Sequence, residues 1–233
     1  MTEEKINADR NRILEIVKQK SVLKQDVFEI TRDSFRELKS VLEETITDLK
    51  TNFANQDVRV GFEYKDQGEF QAEMKIAGDV LVFFMHTNIF QFEKTHSLWR
   101  SSYFKEDPTR SFVGVINVYN FLSDSFKYQR PQDLGYLIAR IFINKDGHFL
   151  VQGKRQLGFL FNNILEMELD RSHLAEVVNT CVLYALDFDL LTPPYQAMEE
   201  VSISDFASLT NQLSIATGKR LGFKFSHEED DLL

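Results

Sequence analysis

Apolar residues between Lys24 and Phe53 recur at the spacing of one helix face. A seven-residue interval keeps side chains on the same side of a helix, and this stretch contains neither Gly nor Pro. The repeating positions are Phe28, Phe35, Leu42 and Leu49. The pattern predicts one long amphipathic helix over residues 24–53.

A shorter apolar periodicity precedes this helix. Ile6, Ile13 and Val17 predict a helical stretch that is either separate from the long helix or continuous with it, with Ser21 as the candidate break. Two roles for residues 24–53 stay open. The helix covers the sheet of its own chain, or its apolar seam joins two copies in a homodimer.

From Val58 onward the apolar positions alternate with a period of two, as in half-buried strands. Val58 to Lys65 and Glu69 to Ala77 flank a short turn that contains Gly68, which predicts a hairpin. Phe112 to Phe121 is apolar on both faces, which predicts a central strand that is covered on both sides. The other predicted strands are Val80 to His86, Ile89 to Lys94, Leu134 to Ile143, His148 to Gln152 and Leu157 to Phe161.

The C-terminal part of the chain returns to a helical pattern. Arg171 to Leu191 predicts a helix that Pro193 and Pro194 would stop. Its inward positions are Leu174, Val178, Cys181 and Ala185. Ser204 to Thr217 predicts a last helix with Ser204 as its N-cap, and Leu221 to Phe225 a short strand.

Together these elements predict an α+β fold. A curved antiparallel meander of about seven to eight strands would be packed by a long N-terminal helix and two C-terminal helices. The predicted organisation is a helical or mobile segment over residues 1–22, a single α+β domain over 23–226, and a disordered acidic tail over 227–233. The 21 phenylalanines support a large sheet, because aromatic residues favour pleated, half-buried surfaces.

Charge and cysteine content bound the function. A net charge of −9 argues against sequence-independent binding to nucleic acid or to anionic lipid, which need local positive potential. The polar residues after Met1 do not resemble an export signal, and Val80 to Met85 is far too short to span a bilayer. Cys181 has no partner for a disulfide within the chain. We therefore expect a soluble cytoplasmic protein without membrane insertion.

Two groups of acidic residues are candidates for metal chemistry. Asp66 with Glu73 and Lys75 resembles the Asp and Glu-x-Lys arrangement of restriction-type nucleases, although alternating solvated charges on a strand give the same pattern. Three further acids alternate with apolar residues and would share a face if they lay on a strand, where they could hold Mg²⁺ or Ca²⁺. These are Glu166, Glu168 and Asp170.

Other chemical signatures are weak. The turns Gly153-Lys154-Arg155 and Gly218-Lys219-Arg220 are typical of basic turns at strand entries and do not match a phosphate-binding loop. The five histidines show no ligand-like spacing, and no Ser or Cys lies in a nucleophile-elbow context. We therefore predict no catalytic residue, no cofactor and no metal, and an enzyme is the less favoured class.

Two irregular connections within the meander are the predicted binding sites. His96 to Arg110 and Ser123 to Asp133 carry Trp, Tyr and Arg, the residue types enriched at binding hot spots. The predicted contact residues are Trp99, Arg100, Tyr103, Phe126, Tyr128 and Arg130. The alternative is that these aromatic residues pack under the edge of the sheet.

The first functional hypothesis is a non-enzymatic interaction or regulatory protein that binds a protein partner through these connections or through the long helix. The second is a binding protein for a small amphipathic ligand, with an apolar cavity between sheet and helix and with Arg140 or Arg130 meeting an acidic head group. A metal-dependent enzyme is the third.

Overall fold

One uninterrupted helical rod forms the N-terminal part of the chain. The computed structural model describes residues 3–54, 56–190, 192, 194–200 and 202–204. Helix α1 spans Glu3–Ile16, a π-turn follows over Val17–Ser21, and α2 spans Val22–Phe53. The rod is continuous, so Ser21 is not a break and instead lies in the π-turn.

In the part of the chain that the structure describes, seven antiparallel strands form one open sheet. They are β1 (Phe62–Asp66), β2 (Gln71–Ile76), β3 (Asp79–Met85), β4 (Phe90–Gln91), β5 (Phe112–Leu122), β6 (Tyr136–Asn144) and β7 (Phe149–Gly153). The order in the sheet is β1-β2-β3-β5-β6-β7, and β4 pairs with the first residues of β5 beyond the end of β3. The meander and its two predicted hairpins are confirmed, with Gly68 and Gly147 at positive φ in the turns.

Further helices lie in the connections between strands and in the chain after β7. Two turns of 3₁₀-helix cover Ser97–Arg100 and Pro108–Ser111, with α3 (Ser102–Glu106) between them. The others are α4 (Ser123–Lys127), α5 (Gln156–Leu160), α6 (Arg171–Leu186) and α7 (Tyr195–Met198). Helix α6 confirms the first predicted C-terminal helix, but it ends at Leu186, well before the prolines.

The core lies between the sheet and two helices. Helices α2 and α6 pack on the same face of the sheet, here called the inner face. The alternation predicted for β2 is confirmed, because Ala72, Met74 and Ile76 are buried on this face. The heptad residues Phe35 and Leu42 of α2 are also fully buried in this core. The apolar seam of residues 24–53 therefore covers its own sheet, and a homodimer through it stays a prediction.

Three strand predictions are corrected by the structure. Leu157 to Phe161 is not an eighth strand but overlaps helix α5, because Arg155 adopts a positive φ and Leu157 turns inward against Gly153. Only Phe90–Gln91 of the stretch Ile89 to Lys94 pairs as a strand. The strand predicted from Val58 begins at Phe62.

Strand β5 is central, as predicted, but its cover is uneven. On the outer face, opposite the helices, Val113 and Val115 are buried while Asn117 and Tyr119 are half-buried. Three C-terminal predictions lie outside the described residues, apart from Ser204. They are the helix Ser204 to Thr217, the strand Leu221 to Phe225 and the tail 227–233. Within the described residues, no helix has both the length and the apolar character needed to cross a bilayer.

A glycine allows α2 to approach the sheet closely. Gly114 on β5 lies against Thr31 of α2, whose hydroxyl donates to the carbonyl of Val27 at 2.7 Å. A Cβ atom at residue 114 would overlap the Thr31 side chain. Helix and strand backbones can therefore pack at this distance only because residue 114 has no side chain.

We predict that Gly114→Ala destabilises the protein by about 1–3 kcal/mol, because the new methyl group must push α2 away from the sheet. Urea denaturation measures this change. Gly78→Ala is the matched control, since no atom lies within 4 Å of a Cβ built there. Equal stability of the two variants would contradict the close packing described.

Candidate binding groove on the outer face of the sheet

The outer face of β5, β6 and β7 forms the floor of an open groove of about 800 Å³. Strand register sets its composition, because partners in neighbouring strands point to the same face. One cross-strand row is polar and consists of Asn117, Arg140 and Gln152. The next row is apolar and consists of Val115, Phe142 and Leu150. The floor thus combines an apolar area with hydrogen-bonding side chains.

Two segments build the walls of this groove. On one side stand Phe90, Phe92, His96 and Leu98, from β4 and the start of the first long connection. On the other side stand Gly153 at the end of β7 and, from the chain after it, Gly158 and Asn162. The groove therefore lies on the face opposite α2, whereas the sequence interpretation placed an apolar cavity between sheet and helix.

Arg140 is the cation on the floor. Its guanidinium donates to Oε1 of Gln152 and lies 5.4 Å from the ring centroid of Phe142. Among the described residues, no carboxylate lies within ion-pair distance of this guanidinium. A guanidinium with free N–H groups above an aromatic ring suits a carboxylate or phosphate, which it can bind through two parallel hydrogen bonds.

Trp99, a predicted contact residue, supports the wall. Its indole N–H donates to the carbonyl oxygen of Phe92 at 3.3 Å, and its ring packs on the fully buried Phe104. Nζ of Lys94 lies 3.4 Å from the ring centroid. Trp99 therefore fixes the position of Phe92 in the groove, while Arg100 beside it is exposed to solvent.

Tyr103 fastens the same connection to the turn between β6 and β7. Its hydroxyl donates to Oδ2 of Asp146 and accepts from Nδ2 of Asn144, both at 2.9 Å. The Tyr103 ring also stacks on His148, with centroids 5.2 Å apart. Arg110 completes this network with an Nε to Asp146 Oδ2 distance of 2.8 Å. Burial raises the pKa of Tyr103 to about 12, so the phenol stays neutral and able to donate.

The other three predicted contact residues lie at the opposite end of β5. This strand has 11 residues, so its ends are about 35 Å apart. Phe126 is exposed and packs edge-on against Phe121, and Tyr128 is half-buried. Arg130 is turned inward, with its side chain 7% exposed and Nε 2.8 Å from Oδ2 of Asp133. The six residues therefore do not form one site.

The nuclease-like residues are not brought together. Asp66 pairs in register with Ala72 on the inner face and accepts a hydrogen bond from Lys39 of α2 at 2.7 Å. Glu73 and Lys75 are on the outer face, where they lie opposite Lys65 and Glu63 of β1. Their alternation is that of a solvated hairpin with paired charges.

The predicted acidic metal candidates have separate surroundings. Asp170 caps α6 by accepting from the backbone N–H of His173 at 2.8 Å. Glu166 and Glu168 are exposed, and Glu168 lies at an isolated bridge to His148. Searched over the described residues, the structure has no group of three acidic, His or Cys side chains placed to hold a metal ion.

Two further sequence candidates have structural roles. Cys181 is fully buried in α6, and burial raises the pKa of its thiol to about 12, which suppresses the reactive thiolate. Arg155 of the Gly153-Lys154-Arg155 turn forms an ion pair with Asp187 at the end of α6, with a 2.6 Å Nη1 to Oδ2 distance.

Sequence reasoning missed the groove, although part of its signal was present. Arg140 is a candidate from the sequence, but for a cavity on the other face. The outward positions of β6 and β7 include Phe142 and Leu150, which are too apolar for a solvated face. That excess could have indicated a binding surface. No local sequence pattern predicts that β4 and the connection after it fold beside the floor of the groove.

We predict that Tyr103→Phe destabilises the protein by about 1–3 kcal/mol, because the buried Asn144 loses the acceptor of its side-chain N–H. Thermal and urea denaturation measure the loss. Tyr195→Phe is the control, since that tyrosine is 76% exposed. If both variants match the wild type, the hydroxyl does not hold the connection.

We predict an acid-dependent contribution from a second ion pair of this connection. The hydrogen bond from Lys145 lowers the pKa of Asp107 from 3.8 to about 2. A carboxyl whose folded pKa is depressed stabilises the fold above its unfolded pKa, and this stabilisation is lost as the pH falls towards 2. Lys145→Met should therefore be less stable than the wild type at pH 6, and the difference should vanish near pH 2.

Urea denaturation at a series of pH values tests this dependence. Lys50→Met removes the same charge from the exposed last turn of α2 and should show no such convergence. A Lys145→Met deficit that stays constant down to pH 2 would contradict the assignment.

Comparisons with protein-family models, with curated proteins and with solved structures found no match for this chain.

Proposed function

We propose that this chain is a non-enzymatic interaction protein and that the outer groove binds a segment of a partner protein. The segment would carry a carboxylate, from Asp, Glu or a C-terminus, next to apolar side chains. The observation that carries this proposal is Arg140, a cation with no described carboxylate partner on the floor of an open and partly apolar groove.

The composition of the floor supports an amphipathic partner segment. Phe142 and Leu150 are half-buried and offer apolar contact area, and Phe90 on the wall is 43% exposed. Asn117 and Gln152 in the row of Arg140 supply amide groups for hydrogen bonds. Buried aromatic area around one directional cation is typical of binding hot spots.

The rigidity of one wall also supports binding. Trp99 holds Phe92 by a hydrogen bond, and Tyr103 and Arg110 fasten the same connection to Asp146. A wall that is ordered before binding lowers the entropic cost of association. In this proposal, Trp99 and Tyr103 act as supports of the groove, and Arg100, which is exposed, is not part of its lining.

A cytoplasmic location is part of the proposal. It is supported by the single cysteine, Cys181, which is buried and has no disulfide partner in the sequence.

A small amphipathic acid is the second candidate occupant. The groove volume of about 800 Å³ falls within the usual range of small-molecule sites, and the same Arg140 would bind the acid group. This candidate keeps the ligand class inferred from the sequence but places it on the opposite face of the sheet.

Selection from a displayed library of random 12-residue peptides tests the partner-segment proposal. We expect enriched peptides to combine Asp or Glu with aliphatic or aromatic residues. Their affinity should fall about tenfold or more for Arg140→Met, which keeps the apolar stem but removes the charge. Binding is read by fluorescence, because Trp99 is the only tryptophan and supports the groove wall.

The matched control is Arg36→Met, which removes the same charge from the exposed side of α2. It should bind the selected peptides as the wild type does. Peptides without acidic residues, or peptides that bind Arg140→Met with unchanged affinity, would contradict the proposal.

Native mass spectrometry of the purified protein tests the second candidate. A retained mass of a few hundred daltons that is present in the wild type and absent from Arg140→Met supports a small acid. A bare protein mass for both rejects it.

A further inference from the structure

The first helix extends beyond the sheet as an exposed arm, defined here as residues 5–22. Every side chain in this range is exposed. Helix α1 alone has 14 residues and is about 21 Å long. Isolated helices of this length are marginally stable in water, and most helices in proteins are stabilised by packing of an apolar face. The arm has such a face, and it is open.

Five aliphatic residues form an apolar stripe on the arm. Ile6, Ile13 and Val17 are separated by seven and four residues, which places them on one side of the helix. Leu14 and Ile16 widen the stripe on either side. In the structure their exposed fractions range from 37% for Ile6 to 59% for Ile13. Apolar positions at this spacing normally contact another structure.

The π-turn separates this stripe from the core-facing side of α2. A π-turn accommodates an additional residue per turn, so it rotates the helix face before it relative to the face after it. The turn spans Val17–Ser21 and has no buried residue. From residue 5 onward, the first buried residue of the rod is Val27. The apolar stripe therefore lies on a different segment of the rod from the face of α2 that packs on the sheet.

Basic residues border the stripe. Arg10 lies four residues after Ile6 and three before Ile13, so it is adjacent to both on the helix surface. Lys18 lies four residues after Leu14, and Lys20 follows in the π-turn. Asp9 is the acid next to the stripe. The positive charge of Arg10, Lys18 and Lys20 contrasts with the net charge of −9 of the whole chain.

We propose that this arm docks an amphipathic helix of another protein, with an aliphatic seam flanked by Asp and Glu. The aliphatic seam would cover the stripe, and the acidic flanks would pair with Arg10 and Lys18. A second copy of this chain fits less well, because residues 5–22 of each copy carry five cations (Lys5, Arg10, Arg12, Lys18 and Lys20) against two acids (Asp9 and Glu15).

An anionic membrane surface is also a weaker match. Residues 5–22 contain no aromatic residue to sit at the lipid interface, and the acidic body of the protein would be repelled by anionic lipid. The observations therefore favour a protein helix. This surface is separate from the groove and does not depend on the function proposed for it.

A designed peptide tests the proposal on the full chain. The probe is a labelled four-heptad helix with Leu at the seam and Glu at the flanking positions, and its partner peptide has Lys in place of Glu. Fluorescence anisotropy should show binding of the Glu peptide and much weaker binding of the Lys peptide. Arg10→Glu should weaken the Glu peptide about tenfold, and Ile13→Asp should abolish its binding.

Three controls make the result specific. Arg36→Glu reverses the same charge far from the arm and should leave binding unchanged, as should Arg140→Met in the groove. Circular dichroism and urea denaturation should show Ile13→Asp to be as stable as the wild type, since Ile13 contributes nothing to the core.

A photo-reactive amino acid at Val17 then identifies the natural contact in cells. Cross-linking to an acidic amphipathic helical segment supports the proposal. Absent binding of the Glu peptide, equal binding of the two peptides, cross-links between two copies of the chain, or recruitment to phosphatidylserine vesicles that needs Ile13 would each overturn it.

Discussion

The packing of α2 on the inner face of the sheet is the constraint on which the rest of the structure depends. Phe35 and Leu42 are fully buried there, and Gly114 lets Thr31 approach the strand backbone. This contact occupies the apolar side of α2 and, together with α6, the inner face of the sheet. Within the described residues, the outer face of β5 to β7 and the arm are apolar surfaces that lie outside this contact. Both are therefore candidates for contact with other molecules.

The outer groove follows from how the chain crosses that second face. After β3 the chain pairs briefly as β4 and then folds into a connection whose buried Phe104 and hydrogen-bonded Trp99 fix one wall. Tyr103 ties this wall to the turn after β6. The polar network around Tyr103, which the residue types in the sequence would assign to partner binding, thus stabilises the wall of the groove. Arg140, on the floor between the walls, donates to Gln152 and has no carboxylate partner among the described residues.

The sequence predicted what local periodicity determines. The long helix, the two hairpins, central β5 and α6 follow from spacing alone, because burial of one face imposes a period of 3.6 or 2. Prediction from the sequence failed where long-range contacts determine the local structure. Leu157 to Phe161 became a helix because the backbone turns at Arg155 to bury Leu157. Aromatic residues such as Trp99 looked alike in sequence whether they line a surface or support it, and only the tertiary contacts separate these roles.

The most direct measurement of the central claim is methyl NMR of the full chain titrated with a selected acidic peptide. Leucine and valine methyl groups lie on both faces of the same strands, so the spectrum distinguishes them without mutation. Binding in the outer groove predicts shift changes at Val115, Leu137 and Leu150, with Val118 of the inner face and Leu42 of α2 little affected. Changes confined to inner-face residues or to α6 would contradict it.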